Sequence, residues 1–574
     1  MVYIRKYYLF TFLAIVLFQS PGYAQVDWME TMGVADGIQQ NDCYIRDLKT
    51  DKDNNIYVIG NTYFGADNIL FYKNQKKMNL AYESFNTPLF LAKFDASGNL
   101  LWTKDLVNNN DGKLAIDNNG NIYISAGFYK AASIGGDSIH TYKNGVYLAK
   151  FNKSGIFQWV KTGNCPDYPQ IFSMICDADG KVYISGNYTG FSMQWDTTQI
   201  SSNVSPAIYT MRYDEKGNID WVNNIDYIDN GWTVQGNAIK MKIGTDGNLY
   251  ALFAEGGRSW ISSCEFNKWH MILACLTKGG NINWTKDYVC SDLMTASDMD
   301  INIFGEIVVV GSFRGTFTFG NANITSAFDD NAGCHTTEAF ITKFDRLGNV
   351  LSAENVPASG YSSDYYNVNF NNDASYVISG MRYYKNSKGY AGYPDNFPNG
   401  KNRFFISKYD FIGNPQGEVE FYKTTSNSWP DAYFETDPMV QIDSEGNYII
   451  ADNYKGQYDT LPNCIYNQNQ NLILYKLNRD KLKLNTPQNN NNTLFLSPNP
   501  ARDIIYLEIQ DNAYLQYNAS ITDMTGKLVL QNKKTDLTKA VFQIDISSLA
   551  AGMYLLNAQN ETGIKSAKFV KYSR

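Results

Sequence analysis

The side chains best suited to hold a ligand are seven aromatic residues outside the regular pattern of the chain. A flat ring binds a sugar ring or a peptide side chain by dispersion, and its polar edge orients the ligand. We therefore predict a binding surface for a glycan, a peptide or a protein; the alternative is that these rings only pack against their own loops. The residues are Trp195, Trp232, Trp260, Trp269, Tyr390, Tyr393 and Trp429.

The chain offers few residues for nucleophilic catalysis. It contains only three histidines, and no His-Glu-x-x-His, Gly-x-Ser-x-Gly or phosphate-loop motif occurs. A Ser-His-Asp arrangement is therefore not expected. A carboxylate-based hydrolase or lyase acting on carbohydrate stays open, because a pair of catalytic acids follows no spacing rule along the sequence. The catalytic residues are unknown, and no cofactor is predicted.

One acidic segment has a spacing similar to that of a calcium-binding loop. It comprises Asp298–Asn302 together with Glu306. The apolar residues Met299 and Ile301 alternate with the acids, which is typical of a strand and favours turn chemistry over calcium binding. Because no Cys-x-x-Cys spacing occurs either, no metal site is predicted.

Composition and the first residues indicate an exported globular protein. Aromatic residues make up 15% of the 574 residues and charged residues only 18%, which excludes a disordered chain. A net charge of −8 argues against nucleic acid as a partner. Residues 1–24 have the basic head, short apolar core and small-residue end of a signal peptide. No transmembrane segment is predicted in the mature chain.

Export permits disulfide bonds, and the chain has eight cysteines. The shortest links would be Cys165–Cys176 and Cys264–Cys275, and the alternative is that most cysteines are buried free thiols.

Two phrases alternate seven times along residues 47–484. The first is an acidic turn followed by an alternating apolar strand, as in Asp117-Asn-Asn-Gly-Asn-Ile-Tyr-Ile124. The second is a strand, a turn and a tryptophan, as in Leu91-Ala-Lys-Phe-Asp-Ala-Ser-Gly-Asn-Leu-Leu-Trp102. Each phrase predicts two antiparallel strands joined by a tight turn. The repeat tryptophans Trp102, Trp159, Trp221 and Trp284 are predicted to pack between sheets.

Seven units of four strands predict an all-β chain folded as a seven-bladed β-propeller over residues 25–484. The segment around Trp28 aligns with the fourth strand of a repeat, but strands one to three do not precede it. The seventh copy of the repeat, in turn, lacks a fourth strand of its own. We therefore predict that this segment completes the last blade and closes the ring; residues 482–484 are the alternative. The repeat resembles the bacterial seven-bladed β-propeller repeat family, which implies a fold but little about activity.

The long and irregular segments should lie together at one end of the propeller, because antiparallel strands place alternate connections at opposite ends. Function usually resides on such loops. The segments between second and third strands are 62–88, 187–206, 256–270, 316–338, 382–403 and 455–470.

The carboxyl terminus carries a separate unit. Residues 485–493 form an Asn-rich linker, and residues 494–574 have the strand pattern of a small β-sandwich. This unit resembles the type A sorting domain of the type IX secretion system. The residues that carry the resemblance are Pro498, Asn499, Pro500, Asp523, Gly526, Gly552, Tyr554 and Lys568.

The resemblance implies that the type IX secretion machinery exports the chain through the periplasm to the outer cell surface or the medium. It also implies removal of the domain and release, or attachment to surface lipopolysaccharide. Three functions remain open: a propeller that binds a glycan, peptide or protein, a carbohydrate-active enzyme using acids in the central pocket, and a structural surface or adhesion component.

Overall fold

The computed structural model is built of strands throughout the part of the chain that it describes. That part is residues 26–571 without 35–42, 63–67, 81–86, 109–111, 166–168, 204–206, 226–236, 257–268, 321, 330–333, 357–360, 372–373, 385–400, 411–412, 425–437, 459–464, 480–493, 498–503, 510–517, 524–526, 533–540 and 561–562. The all-β prediction is confirmed. The predicted signal peptide and the predicted linker lie outside these residues.

Seven antiparallel groups of four strands account for most of the chain, with strands numbered in chain order. The first is β2 (Cys43–Thr50), β3 (Ile56–Thr62), β6 (Thr87–Phe94) and β7 (Leu100–Asn108), and the second is β8 (Lys113–Ile116), β9 (Ile122–Ile134), β10 (Asp137–Phe151) and β11 (Phe157–Asn164). The third is β12 (Gln170–Cys176), β13 (Val182–Tyr188), β16 (Ala207–Tyr213) and β17 (Ile219–Ile225), and the fourth is β18 (Asn237–Ile243), β19 (Leu249–Gly256), β20 (Trp269–Leu276) and β21 (Ile282–Cys290). The fifth is β22 (Met294–Ile301), β23 (Ile307–Phe313), β28 (Glu338–Phe344) and β29 (Val350–Val356), and the sixth is β30 (Tyr361–Phe370), β31 (Tyr376–Tyr384), β32 (Lys401–Tyr409) and β33 (Pro415–Thr424). The seventh is β34 (Met439–Ile442), β35 (Tyr448–Tyr458), β36 (Ile465–Leu477) and β1 (Val26–Val34).

The first strands of these groups surround a common axis. Each contacts the first strand of the next group, in the order β2, β8, β12, β18, β22, β30 and β34, and β34 returns to β2. A closed cycle of this kind is the arrangement of a β-propeller. The propeller prediction is confirmed, while the seven-bladed count stays a prediction that the four-stranded groups support.

The first strand in sequence, β1, closes the ring. It pairs antiparallel with β36, with Trp28 opposite Lys476 and Met32 opposite Leu472. The seventh group therefore takes its outer strand from the other end of the repeat region, as the sequence predicts. The alternative that residues 482–484 occupy this place is excluded, since β1 already pairs with that edge of β36.

Packing between neighbouring groups depends on the repeat tryptophans. The Trp221 indole lies against Gly280 of the next group, where an added Cβ would come within 2.5 Å of the ring, and its N–H donates to the Lys278 carbonyl at 3.2 Å. Trp28 makes the same contacts with Gly98 and the Ala96 carbonyl. Each of these turn glycines also has a positive φ. Glycine is therefore required both for the backbone conformation and for the close approach of the indole.

Several long segments between second and third strands fold as hairpins rather than as open loops. The hairpins are β4 (Asn68–Phe71) with β5 (Lys76–Asn79), β14 (Ser192–Trp195) with β15 (Thr198–Ser201), β24 (Thr316–Phe319) with β25 (Ala322–Thr325), and the short β26 (Phe328–Asp329) with β27 (Cys334–His335). Three of them pair with the fourth strand of the preceding group, β4 with β1, β14 with β11 and β24 with β21. These hairpins therefore connect adjacent groups by backbone hydrogen bonds.

The predicted disulfides are wrong where the structure tests them. Cys165, Cys176 and Cys275 are free thiols, as are Cys43 and Cys290. Cys43, Cys275 and Cys290 lie in the apolar interior, where a thiol packs as a small hydrophobe. The prediction failed for Cys165 and Cys176 because a short separation in sequence does not by itself bring two thiols together: Cys165 follows the end of β11, and Cys176 is the last residue of β12.

The carboxyl-terminal unit consists of two sheets around their own core. One sheet contains β37 (Leu494–Ser497), β38 (Ile504–Ile509) and β41 (Val541–Asp545), and the other contains β40 (Leu528–Asn532), β39 (Asn518–Asp523), β42 (Gly552–Asn560) and β43 (Gly563–Lys571). Ile505 and Ile544 of the first sheet pack with Ile521, Leu556 and Phe569 of the second. This packing is that of a small β-sandwich.

Candidate functional site: the central channel

A cavity of about 580 Å³ lies where the first strands of all seven groups meet. Each first strand contributes an equivalent position to its wall. Equivalent positions are those whose partners on the second strand correspond in the repeat, as Ile59 is the partner of Asp47. We call these residues the upper ring: Asp47, Lys113, Ser173, Lys240, Asp298, Asn367 and Met439. Two residues further along each strand lies the lower ring: Lys49, Ala115, Ile175, Lys242, Asp300, Asn369 and Gln441.

A local irregularity sets up the upper ring. In five first strands the register shifts immediately before the upper-ring residue, for example between Ile45 and Asp47 and between Ala296 and Asp298. Such a bulge bends the strand and redirects the side chain that follows. Polar residues can therefore occupy an otherwise apolar strand, because their side chains reach the neighbouring group instead of the core.

The ring side chains bond to the backbone of the next group. The Asp47 carboxylate accepts from the Leu114 amide at 2.9 Å, and the Ser173 hydroxyl accepts from the Met241 amide at 3.0 Å. Asp298 accepts from the Val368 amide at 3.1 Å. The Asn367 amide group donates to the Pro438 carbonyl at 2.7 Å. These bonds satisfy backbone groups that no sheet ladder reaches, and they fix the spacing of the groups around the channel.

Three ion pairs line the channel wall. Lys49 lies 2.6 Å from Asp47 on the same strand. Lys240 lies 2.9 Å from Asp298, and Lys242 lies 2.9 Å from Asp300 on the next group. The segment Asp298–Asn302 is thus a strand whose acids pair with lysines, so its calcium-like spacing has a structural explanation. Among the described residues, no three His, Cys, Asp or Glu side chains form a group that could hold a metal ion.

The field in the channel shifts the ionisation of its residues. Burial opposes ionisation of Asp47, but Lys49, Lys113 and the Leu114 amide outweigh it, so the pKa of Asp47 lies below its usual value. For Lys49, burial together with the charges of Lys240 and Lys242 lowers the pKa, although Asp47 raises it. Lys49 is thus repelled by its neighbouring lysines in spite of Asp47. At Lys240, in contrast, burial is outweighed by the carboxylates Asp298, Asp47 and Asp300, which raise the pKa.

The predicted aromatic surface is wrong for Trp195. This side chain is fully buried, and it packs at the end of β14 against Tyr209 and Tyr213. The hairpin that carries it covers β11, which removes the ring from solvent. Trp269 begins β20 and is half-buried against the core of the fourth and fifth groups. Trp232, Trp260, Tyr390, Tyr393 and Trp429 lie outside the described residues.

Sequence reasoning missed the channel residues, although a signal was present. Charged residues two positions apart occur within first strands, as in Asp47 with Lys49 and Asp298 with Asp300. In a strand that packs on both sides, such a pair points to a polar wall rather than to turn chemistry. The signal is weak because Ala115, Ile175 and Met439 fill equivalent positions in other repeats.

The sorting-domain residues that the structure describes have structural contacts. The Tyr554 hydroxyl donates to the Ala550 carbonyl at 2.9 Å, and Asp523 accepts from the Lys527 amide at 3.0 Å. Gly552 and Lys568 lie on the paired strands β42 and β43. Pro498, Asn499, Pro500 and Gly526 lie outside the described residues.

Comparison with known proteins identifies this unit. Residues 496–572 match the family model described as a secretion system C-terminal sorting domain. The protein is secreted or displayed at the cell surface. The type IX secretion machinery is accordingly a partner of the chain. No helix among the described residues is long and apolar enough to cross a bilayer.

The remaining comparisons concern the propeller. No curated protein matches the chain. Among solved structures, the Dos1 propeller is similar at 10% identity and a TM-score of 0.34, covering 76% of this chain and 92% of that one. A member of the duf4221 family from Bacteroides vulgatus is similar at 12% identity and a TM-score of 0.29, covering 63% of this chain and 91% of that one.

Proposed function

We propose that the chain is an exported seven-bladed β-propeller that binds a glycan, peptide or protein ligand. The propeller comprises residues 25–484, an Asn-rich linker comprises 485–493, and the sorting domain comprises 494–574. The domain is removed during export, and the propeller is released or attached to surface lipopolysaccharide. Binding takes place at the end of the propeller where the long segments between second and third strands emerge.

The asymmetry between the two ends of the propeller carries this proposal. One end presents short turns held by their own Asp side chains, as Asp95 accepts from the Ser97 and Asn99 amides at 2.9 Å. At the other end, segments of variable length emerge from sheets that Trp–Gly contacts and ring bonds hold rigid. Variable loops on a rigid scaffold are the usual arrangement of a binding surface.

The channel carboxylates support binding rather than hydrolysis. A glycosidase needs one carboxyl group that donates a proton and a second that attacks or activates water. Asp47, Asp298 and Asp300 each accept a backbone N–H and pair with a lysine. Carboxylates that are held in this way act as structural links between groups.

The experiment is a binding screen of the secreted protein on an array of oligosaccharides and peptides. Hits are repeated with Trp232→Ala and Trp429→Ala, and with Leu101→Ala, which changes an exposed residue near the turn end. We expect binding that either loop substitution weakens at least tenfold and that Leu101→Ala leaves unchanged. Binding lost only through residues of the turn end would contradict the proposal.

A further inference from the structure

The channel has more positive charge than its own carboxylates neutralise. Lys49, Lys113, Lys240 and Lys242 line the cavity, together with Arg46, whose guanidinium donates to the Asn61 side-chain oxygen. Within the described part of the chain, three carboxylates face these four lysines: Asp47, Asp298 and Asp300. Excess charge in a partly desolvated cavity is unfavourable unless a counter-ion is present.

Lys113 is a lysine of the channel wall whose positive charge is not paired with a carboxylate of the described residues. It belongs to the upper ring and is half-buried. Among the described residues its ammonium group has neither a hydrogen-bond partner nor an ion-pair partner, whereas Lys49, Lys240 and Lys242 each pair with a carboxylate. Asp47, whose pKa the charge of Lys113 helps to lower, already binds Lys49 and the Leu114 amide.

The carboxylates of the wall cannot turn toward Lys113 without a loss elsewhere. Rotation of Asp47 would leave the Leu114 amide unpaired, and a buried unpaired amide costs about 1–3 kcal/mol. The same holds for Asp298, whose second oxygen accepts from Val368. The positive charge of Lys113 is therefore available to a group that enters from solvent.

We propose that the channel binds a small ligand that carries a carboxylate, sulfate or phosphate group, with Lys113 as its cationic contact. A cavity of about 580 Å³ falls within the range of small-molecule sites. The polar side chains Ser173, Asn367 and Gln441 on the same wall can hydrogen-bond the rest of the ligand. This site is independent of the loop surface proposed above, so either can fail without the other.

The test is calorimetric titration of the secreted protein at constant ionic strength with sulfate, phosphate and glucuronic acid, and with chloride and glucose as controls. Lys113→Met removes the charge, and Lys113→Arg retains it. Lys77→Met makes the same change at an exposed position of β5. We expect saturable binding of at least one anion, weakened tenfold or more by Lys113→Met and less than twofold by Lys113→Arg and Lys77→Met.

The anions also distinguish the source of the ligand. Binding of glucuronic acid without glucose indicates an acidic sugar, and binding of sulfate or phosphate alone indicates a free oxyanion or its ester. No saturable anion binding, unchanged affinity in Lys113→Met, or equal loss in Lys77→Met would overturn the proposal.

A second measurement needs no variant. The acetylation rate of each lysine is followed by mass spectrometry with and without the anion. We expect protection of Lys113 and none of Lys77; equal rates at Lys113 under both conditions would overturn the proposal.

Discussion

At the scale of single residues, the turn glycines separate two effects that sequence alone cannot. Gly247 and Gly280 both have a positive φ, of 76° and 87°. An added Cβ meets nothing within 4 Å at Gly247 but meets the Trp221 ring at Gly280. The first position needs glycine only for its backbone conformation, and the second needs it for the packing of two groups as well.

We predict that Gly247→Ala lowers the free energy of unfolding by about 1–2 kcal/mol, the usual cost of the left-handed conformation. Gly280→Ala should cost roughly a further 1–3 kcal/mol, because the tryptophan must move. Urea denaturation of both variants measures the difference. Equal costs would show that the indole contact does not hold the groups together.

Asp443 provides a pH prediction. Burial opposes its ionisation, but the Lys476 ammonium at 2.7 Å and the Asn447 bonds outweigh this and lower its pKa. A lowered pKa gives stability that is present above the pKa of unfolded Asp, about 3.9. That stability is lost as the pH falls through the lower pKa of the folded state. Stability should therefore decrease below about pH 4.

Asp443→Asn should lower stability at pH 7 by roughly 3 kcal/mol, because it leaves the buried Lys476 with only the exposed carboxylate of Glu445, at 3.9 Å. It should also flatten the decrease at acid pH. Asp53→Asn, at an exposed turn position, is the control. Thermal unfolding between about pH 2 and pH 7 measures both effects, because this range includes the pKa of unfolded Asp and the acid region below it. An unchanged acid slope in Asp443→Asn would show that another carboxylate is responsible.

The repeat residues were predictable because their roles are local. Each repeat tryptophan follows its turn at a fixed distance, and the structure places these rings between groups. Trp195 was not predictable in the same way. It belongs to a third sequence pattern, in which two large apolar residues two positions apart are followed by a turn and then by a third apolar residue. The same pattern occurs in a later repeat as Phe317, Phe319 and Ile324. This pattern is short, and its meaning depends on the strand that the hairpin covers.

At the scale of elements, the closing strand β1 depends on one aromatic anchor. Trp28 packs on Gly98 of the first group and donates to the Ala96 carbonyl at 3.0 Å. Glu30, fully buried on the same strand, accepts from the Lys73 amide at 2.8 Å and so ties the β4–β5 hairpin to β1. The closure joins the seventh group, the first group and a hairpin.

We predict that Trp28→Ala destabilises the protein by about 2–3 kcal/mol, somewhat less than a fully buried tryptophan, since the ring is only half-buried. Leu101→Ala, at a side chain that is 47% exposed, should change stability by less than about 0.5 kcal/mol. Chemical denaturation compares them. If both changes were equally small, the N-terminal strand would not be what holds the ring closed.

The order of strands followed from sequence because alternation of apolar residues and Asp-Gly turns acts within a few residues. The hairpins and the bulges before the upper ring did not follow. Both arise when one group meets the next. The partners are distant in sequence: Gly163 and Trp195 of a hairpin contact are 32 residues apart, and Asp47 and Leu114 of a ring bond are 67 apart.

At the scale of the whole molecule, closure protects the edge of the seventh sheet. Without residues 26–34, β36 would present an unpaired edge where β1 now lies, and exposed edges promote association between chains. We predict that a protein lacking these residues unfolds at lower temperature and forms oligomers. Light scattering during a thermal scan tests this; a monomer with unchanged melting temperature would contradict it.

The channel is a property of this scale, which explains why a central pocket could be expected from the sequence but its lining residues were not predicted. No repeat contains it, since the wall takes one residue from each of seven strands spread over nearly 400 positions. The aromatic binding surface was predicted from each residue in isolation, without the strands that pack on it. For Trp195 this was wrong, because the ring is buried against its own group and the neighbouring one.

The measurement that bears most directly on the central claim is a titration of the secreted protein with its best array ligand, with the ligand analysed by mass spectrometry before and after. We predict saturable binding with the ligand recovered unchanged. Cleaved or eliminated product that accumulates with time would contradict it and identify a carbohydrate-active enzyme or another hydrolase.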